Sequence, residues 1–211
     1  MSESIYIDME QSFFKNKMSA SSIGIIGEEV IYTGKTIHPM PSLYKKEKAY
    51  QILADEFDVK FIFDDDIPEF HFYPIPCLEI LAIDSRGGCI GSSNNLVSLD
   101  EDYAPIYYIS NENKPFYIAS NLKEFLRLIV FCTDWKKYLD STYSRTHNIS
   151  KEAKDYLIDT LKLKEYLHDW EPCYPKNQDL QIYNSIDEAK QYFRFYDLSN
   201  VKFDVNKEST R

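Results

Sequence analysis

The chain is short of positive charge: 24 Lys and Arg face 34 Asp and Glu over 211 residues, a formal net of −10. Neutralising a phosphate backbone takes clustered Lys and Arg, so no nucleic-acid partner is expected. No apolar run approaches the roughly 18 residues that a membrane span needs. The longest clusters, such as Leu128 to Cys132, are core-sized. Met1 to Ala20 holds no basic stretch followed by an apolar core, because Glu3, Asp8 and Glu10 interrupt it. No signal peptide is therefore expected, and the location that follows is the cytoplasm, away from membranes. The four cysteines, Cys77, Cys89, Cys132 and Cys173, lack the close pairing of a zinc knuckle and read as reduced, mostly buried thiols.

What is present points to a folded core. Apolar residues make up 44% and aromatics 15%, too much for a disordered chain, and the length suits one domain spanning 1–211. Seventeen tyrosines dominate the aromatic set, each with a flat apolar body and a polar tip suited to half-buried sheets and contact surfaces.

Local pattern orders the elements. Val30 to Thr33 reads as a strand between Gly27 and Gly34, and His38-Pro39-Met40-Pro41 breaks the chain. Ser42 stands as an N-cap for a helix over Leu43 to Phe57. A run of short strands follows: Val59 to Phe63, Phe70 to Tyr73, Leu78 to Ile83, Cys89 to Gly91, Leu96 to Leu99, Pro105 to Ser110 and Phe116 to Ala119. Asn121 and Glu124 form a capping box, and Leu122, Phe125, Leu126, Ile129 and Val130 make one apolar stripe, predicting a helix to about Leu139. Ser150 caps a helix over Lys151 to His168, and Ser185 with Glu188 opens another through Ala189, Tyr192 and Phe193. Consecutive hairpin-linked strands flanked by helices predict an α+β fold: a mainly antiparallel meander with helices on one face, plus a C-terminal helical extension over 141–211.

No catalytic or metal-binding constellation is legible. His38, His71, His147 and His168 show no metal-ligand spacing, and structural or surface roles fit them better. Gly87-Gly88-Cys89-Ile90-Gly91 lacks the Lys-Ser/Thr of a P-loop, and Gly24-Ile25-Ile26-Gly27 lacks the third glycine of a dinucleotide loop; both read as turns. The acidic groups Asp64, Asp65, Asp66 with Glu69, and Asp100, Glu101, Asp102, lack the calcium-loop pattern. They read first as solvated loops and second as a negative surface that steers a basic partner. No Gly-x-Ser-x-Gly elbow occurs, and no cofactor is expected.

One stretch resembles a family. Leu78 to Asp84 followed by Ser85-Arg86-Gly87-Gly88 is similar to the apolar strand, Asp and Gly-rich turn of the SUKH superfamily, the immunity proteins grouped with a yeast cell-wall synthesis regulator. Pro105 to Ile109 resembles its next strand, and Phe116 to Leu126 resembles its closing strand and helix. The likeness covers about 57–140. With the Leu43 to Phe57 helix standing in for the family's opening helix, the SUKH-like core is about 43–140. The family's proline-led motif and Asn-Gly turn have no clear counterpart, and Asn121 stands where the family more often continues Ser-Phe. The resemblance implies a non-enzymatic protein-binding domain, an immunity protein that neutralises a cognate toxin by stoichiometric association. It implies no catalytic residue; Asp84, Gly87, Gly88, Ala119, Glu124 and Phe125 would determine the fold. Two other readings remain open from the residues themselves. One is a small hydrolase or transferase whose site gathers Asp84, His71 and Cys89, and the other is a regulatory adaptor self-associating through its C-terminal helices.

Overall fold

A computed structural model describes residues 4–10, 29–93, 104–139, 143, 148–164 and 180–196. The expected strand at Leu96 to Leu99, the acidic Asp100, Glu101 and Asp102, and His147, His168, Cys173, Gly24 and Gly27 lie outside the described residues. In chain order the elements are β1 (Ile5–Asp8), β2 (Val30–Thr33), β3 (Lys35–Thr36), α1 (Lys48–Asp55), β4 (Lys60–Phe61) and β5 (Tyr73–Ile75). There follow β6 (Leu78–Ile83), β7 (Cys89–Ser92), β8 (Ile106–Ile109), β9 (Pro115–Ala119), α2 (Leu122–Phe131) and α3 (Lys136–Leu139). The chain closes with α4 (Lys151–Thr160), β10 (Gln181–Tyr183) and α5 (Ile186–Ala189).

The fold is α+β. Its main sheet runs β3-β6-β7-β8-β9, antiparallel from β6 to β9, with β3 parallel to β6 and β4 antiparallel to it. Alternation along β8 sends Ile106 and Tyr108 to one face, Tyr107 and Ile109 to the other. A bulge between Ile80 and Ala82 changes the phase of β6. Leu78 and Ile80 therefore serve one layer, whereas Ala82 joins Ile90 in the other.

Helices cover a single face. Leu53 of α1, Phe125, Leu128 and Ile129 of α2 and Leu157 of α4 bury against Ile90, Ile106 and Ile118. The opposite face is closed by irregular chain instead, with Ile62, Phe72 and Leu180 packed on Leu78, Cys89 and Tyr107.

Caps behave as their chemistry predicts. Asn121 Oδ1 accepts the Glu124 N–H at 2.9 Å, Ser150 Oγ the Ala153 N–H at 3.2 Å and Ser185 Oγ the Glu188 N–H at 3.2 Å.

Several boundaries differ from the sequence expectation. Leu43 to Phe57 is not one helix: Ser42–Lys46 is a 3-10 turn, Glu47 is extended at φ −68° and ψ 132°, and α1 starts at Lys48. Ser42 does not cap the helix, because it opens the 3-10 turn and α1 begins only at Lys48 with Glu47 at its N-cap position; the Ser42 N–H donates to Asp64 Oδ1 at 3.0 Å. The stripe of α2 stops at Cys132, where φ −111° and ψ 72° leave helical space, so α3 is a separate turn. The strand expected at Phe70 to Tyr73 is displaced to β5, where β10 pairs with it antiparallel. The C-terminal part thus brings a strand as well as helices, and the helix expected over Lys151 to His168 ends at Thr160. The parallel pair β1–β2 makes a further small sheet.

Candidate functional site

Asp84 ends β6 and organises the turn behind it. Its Oδ1 accepts the backbone N–H groups of Arg86 at 3.0 Å and Gly88 at 2.8 Å. Its Oδ2 accepts the Tyr108 hydroxyl at 2.8 Å and the Lys136 ammonium at 2.8 Å. Gly87 takes φ +85°, a left-handed conformation that glycine adopts without a Cβ penalty. Gly88 is required for a different reason: a Cβ there would run into the Tyr108 ring, 2.7 Å from Cε2 and Cζ. The Asp-x-x-Gly-Gly spacing is thereby explained by one carboxylate, one positive φ and one close approach.

Lys136 reaches this carboxylate from α3. The same ammonium bonds Asp58 Oδ2 at 2.9 Å, and Asp58 Oδ1 accepts the Ser85 N–H at 2.8 Å. The Lys136 nitrogen stands 5.6 Å from the ring centroids of Tyr108, Trp135 and Tyr143, an aromatic surround that favours a cation. Burial pushes the Asp84 carboxyl upward, but the charge and hydrogen bond of Lys136, with the Tyr108 and Gly88 donors, more than offset that. The net effect holds it below the ordinary carboxylate range. Burial and the Asp84 charge push the Tyr108 phenol the other way, well above its usual value.

Beside this buried pair opens a cleft of about 450 Å³. Arg86 borders it from the β6–β7 turn, Ser110, Asn111 and Lys114 from the β8–β9 hairpin, and Lys136 and Leu139 from α3. Tyr108, Phe116 and Tyr143 give it aromatic walls, and Arg86 lies 5.5 Å from the Tyr143 ring centroid.

Other residues singled out from sequence fall elsewhere. Ala119 and Phe125 are buried in the helix-side core, and Glu124 bonds Arg127 Nη1 through both oxygens at 2.8 Å. Asp64, Asp65, Asp66 and Glu69 are all exposed. Two have cations of the chain itself beside them: Lys45 reaches Asp65 at 3.1 Å and Lys60 reaches Asp66 at 2.7 Å. The Lys60 hydrogen bond and charge hold the Asp66 carboxyl below its ordinary value.

Asp84, His71 and Cys89 do not share the cleft. Asp84 lies behind Tyr108, His71 is exposed, and Cys89 is sealed in the sheet with its thiol pushed by burial up to about 12. Cys77 is also pushed up to about 12 by burial. Exposed His38 lies 3.0 Å from Glu79. Among the described residues no group of His, Cys, Asp and Glu has the makings of a metal site, and no helix is long and apolar enough to cross a membrane.

Sequence reasoning missed Lys136. A lysine beside another lysine reads as solvated, and its carboxylate partners lie 52 and 78 residues away. Comparison with protein-family models, curated proteins and solved structures finds no match.

Proposed function

We propose that this chain is a non-enzymatic protein-binding domain of the SUKH-like kind, an immunity protein that neutralises a cognate toxin by stoichiometric association in the cytoplasm. One observation carries the reading. The carboxylate at the strongest motif, Asp84, spends both oxygens on four donors of its own chain. A general acid or base needs an oxygen turned toward substrate, whereas Asp84 is turned inward to fix a turn. The motif residues are thus accounted for by folding, as the resemblance implies, and recognition is left to surfaces.

The partner proposed is a basic toxin domain. The −10 charge favours encounter with it, and exposed Asp64 and Glu69, together with Asp100, Glu101 and Asp102 outside the described residues, are the proposed steering groups. The test is affinity capture from the native host at low and at high salt, followed by co-expression of the captured protein with and without this chain. The expected result is a protein whose toxicity is abolished by co-expression and whose capture weakens as salt rises. Capture of nothing at low salt, or of a protein whose effect on growth is unchanged by co-expression, overturns the reading.

A further inference from the structure

We propose that a second copy of this chain docks on the surface formed by the 42–46 turn and the 64–69 loop, the two copies pairing across a two-fold axis. The inference goes beyond the toxin-binding reading and uses a surface other than the C-terminal helices, so it stands or falls separately from both.

Exposed apolar side chains are the first argument. The 3-10 turn Ser42–Lys46 buries none of its residues although it carries Leu43 and Tyr44, and Leu43 is 69% exposed. Ile67, 50% exposed, follows directly on Asp66 in the neighbouring loop. Turn and loop are fastened side by side within the continuous stretch 29–93. Met40 bridges Phe63 in parallel, the Ser42 N–H donates to Asp64 Oδ1 at 3.0 Å and the Lys45 ammonium donates to Asp65 at 3.1 Å. A lone apolar residue on a surface needs no partner, but three gathered on two adjoining segments mark a contact surface.

Charge placement names the occupant. The turn and its continuation carry Lys45, Lys46 and Lys48 against Glu47, whereas the loop carries Asp64, Asp65, Asp66 and Glu69, with Lys60 on Asp66. A basic segment and an acidic one thus lie side by side, each with its own apolar residue. A partner of a single sign meets repulsion from one of them. A second copy turned by a two-fold sets each basic turn on the other's acidic loop, twice over, with the apolar residues brought together between them. The Lys45–Asp65 pair within one chain, 42% and 49% exposed, is a contact of little energy and does not hold either group back from a partner across the axis. Steering of a basic toxin by the same carboxylates works through the summed field before contact and asks for no docking site here.

Size sets the strength. About a dozen residues a side, against the roughly 20–30 of a standard interface, make a weak dimer in exchange with monomer, with a Kd on the order of 10–100 µM.

The experiment is analytical ultracentrifugation of the full chain from about 5 to 500 µM, a range that brackets this Kd, at low and at high salt. The expected result is an average mass that climbs from the monomer value toward twice that value, with association several-fold weaker at high salt. L43S/I67S, both exposed positions, weakens association by about tenfold or more with an unchanged melting curve. K45E/K46E and D65K/E69K each weaken it as much when alone, because like charges then face each other on both sides of the axis. An equimolar mixture of these two variants pairs about as well as the native chain, a rescue that misfolding of either one could not give. A chain monomeric throughout the range, association untouched by L43S/I67S, or a mixture no more associated than its two components would each overturn the proposal. So would a monomeric chain in which L43S/I67S weakens toxin capture instead, which would hand the surface to that partner.

Discussion

Replacing Lys136 by methionine removes a charge while keeping most of the stem that packs against Tyr108, Trp135 and Tyr143. In the native chain the Asp84 side chain is 0% exposed and the Lys136 side chain 5%. Removing one partner of such a buried pair costs about 3–5 kcal/mol, because the other charge is left without its counter-ion. Asp84 retains Tyr108 and two backbone donors, so the lower end, about 3 kcal/mol, is expected. At this chain length that corresponds to a melting point lower by about 6–12 °C.

The pH dependence gives a sharper signature. Natively the Asp84 carboxyl is held below its unfolded value, so its contribution is present above about pH 4 and lost as pH falls through the folded value. Without the ammonium, burial dominates and lifts the folded value above the unfolded one. The variant is then least impaired near pH 4 and loses stability as pH rises toward 7. Urea unfolding monitored by tryptophan fluorescence at pH 4.5 and pH 7 reads both quantities, and D84N/K136M should recover part of the loss. A K136M loss below about 1 kcal/mol at pH 7, or one that shrinks as pH rises, would refute the buried-pair account.

Other expectations follow from single contacts. N121A removes the acceptor for the Glu124 N–H and should cost about 1 kcal/mol in urea unfolding, with N121S close to native. G88A drives a methyl group into the Tyr108 ring and should cost about 1–3 kcal/mol, whereas N111A, at an exposed turn position, should fall within about 0.5 kcal/mol of native. Under native conditions at pH 8, iodoacetamide should modify Cys132, which is partly exposed, well before buried Cys77 and Cys89, read by peptide mass mapping.

Much of the architecture is written locally. The Asn121 cap and the stripe through Phe125 and Ile129 predict α2 at its observed start, because capping and 3.6-residue periodicity act within a few residues. The Asp84-to-Gly88 turn is legible for the same reason, although the sequence cannot say that Gly88 yields space to Tyr108. Illegible features depend on distant chain. No Gly or Pro marks the break at Cys132; Trp135 buries there against Phe125 and Tyr108, and that packing stops the stripe short of Leu139. Ile182 and Tyr183 of β10 favour a strand, but three residues are too short to show an alternation, and their partner β5 lies about a hundred residues away. The cleft itself needs three segments brought together, so its donors have no local signature. As for the acidic loop, its residues are plain in the sequence, but the Lys45 and Lys60 partners that neutralise part of its charge are not.

Titrating the captured toxin's activity against increasing amounts of this chain tests the central claim, that the molecule acts by occupancy. Residual activity should fall linearly and reach zero at one equivalent, with both proteins recovered intact from the complex. Complete silencing by a small fraction of an equivalent, or a covalently altered toxin, would show turnover and contradict the account.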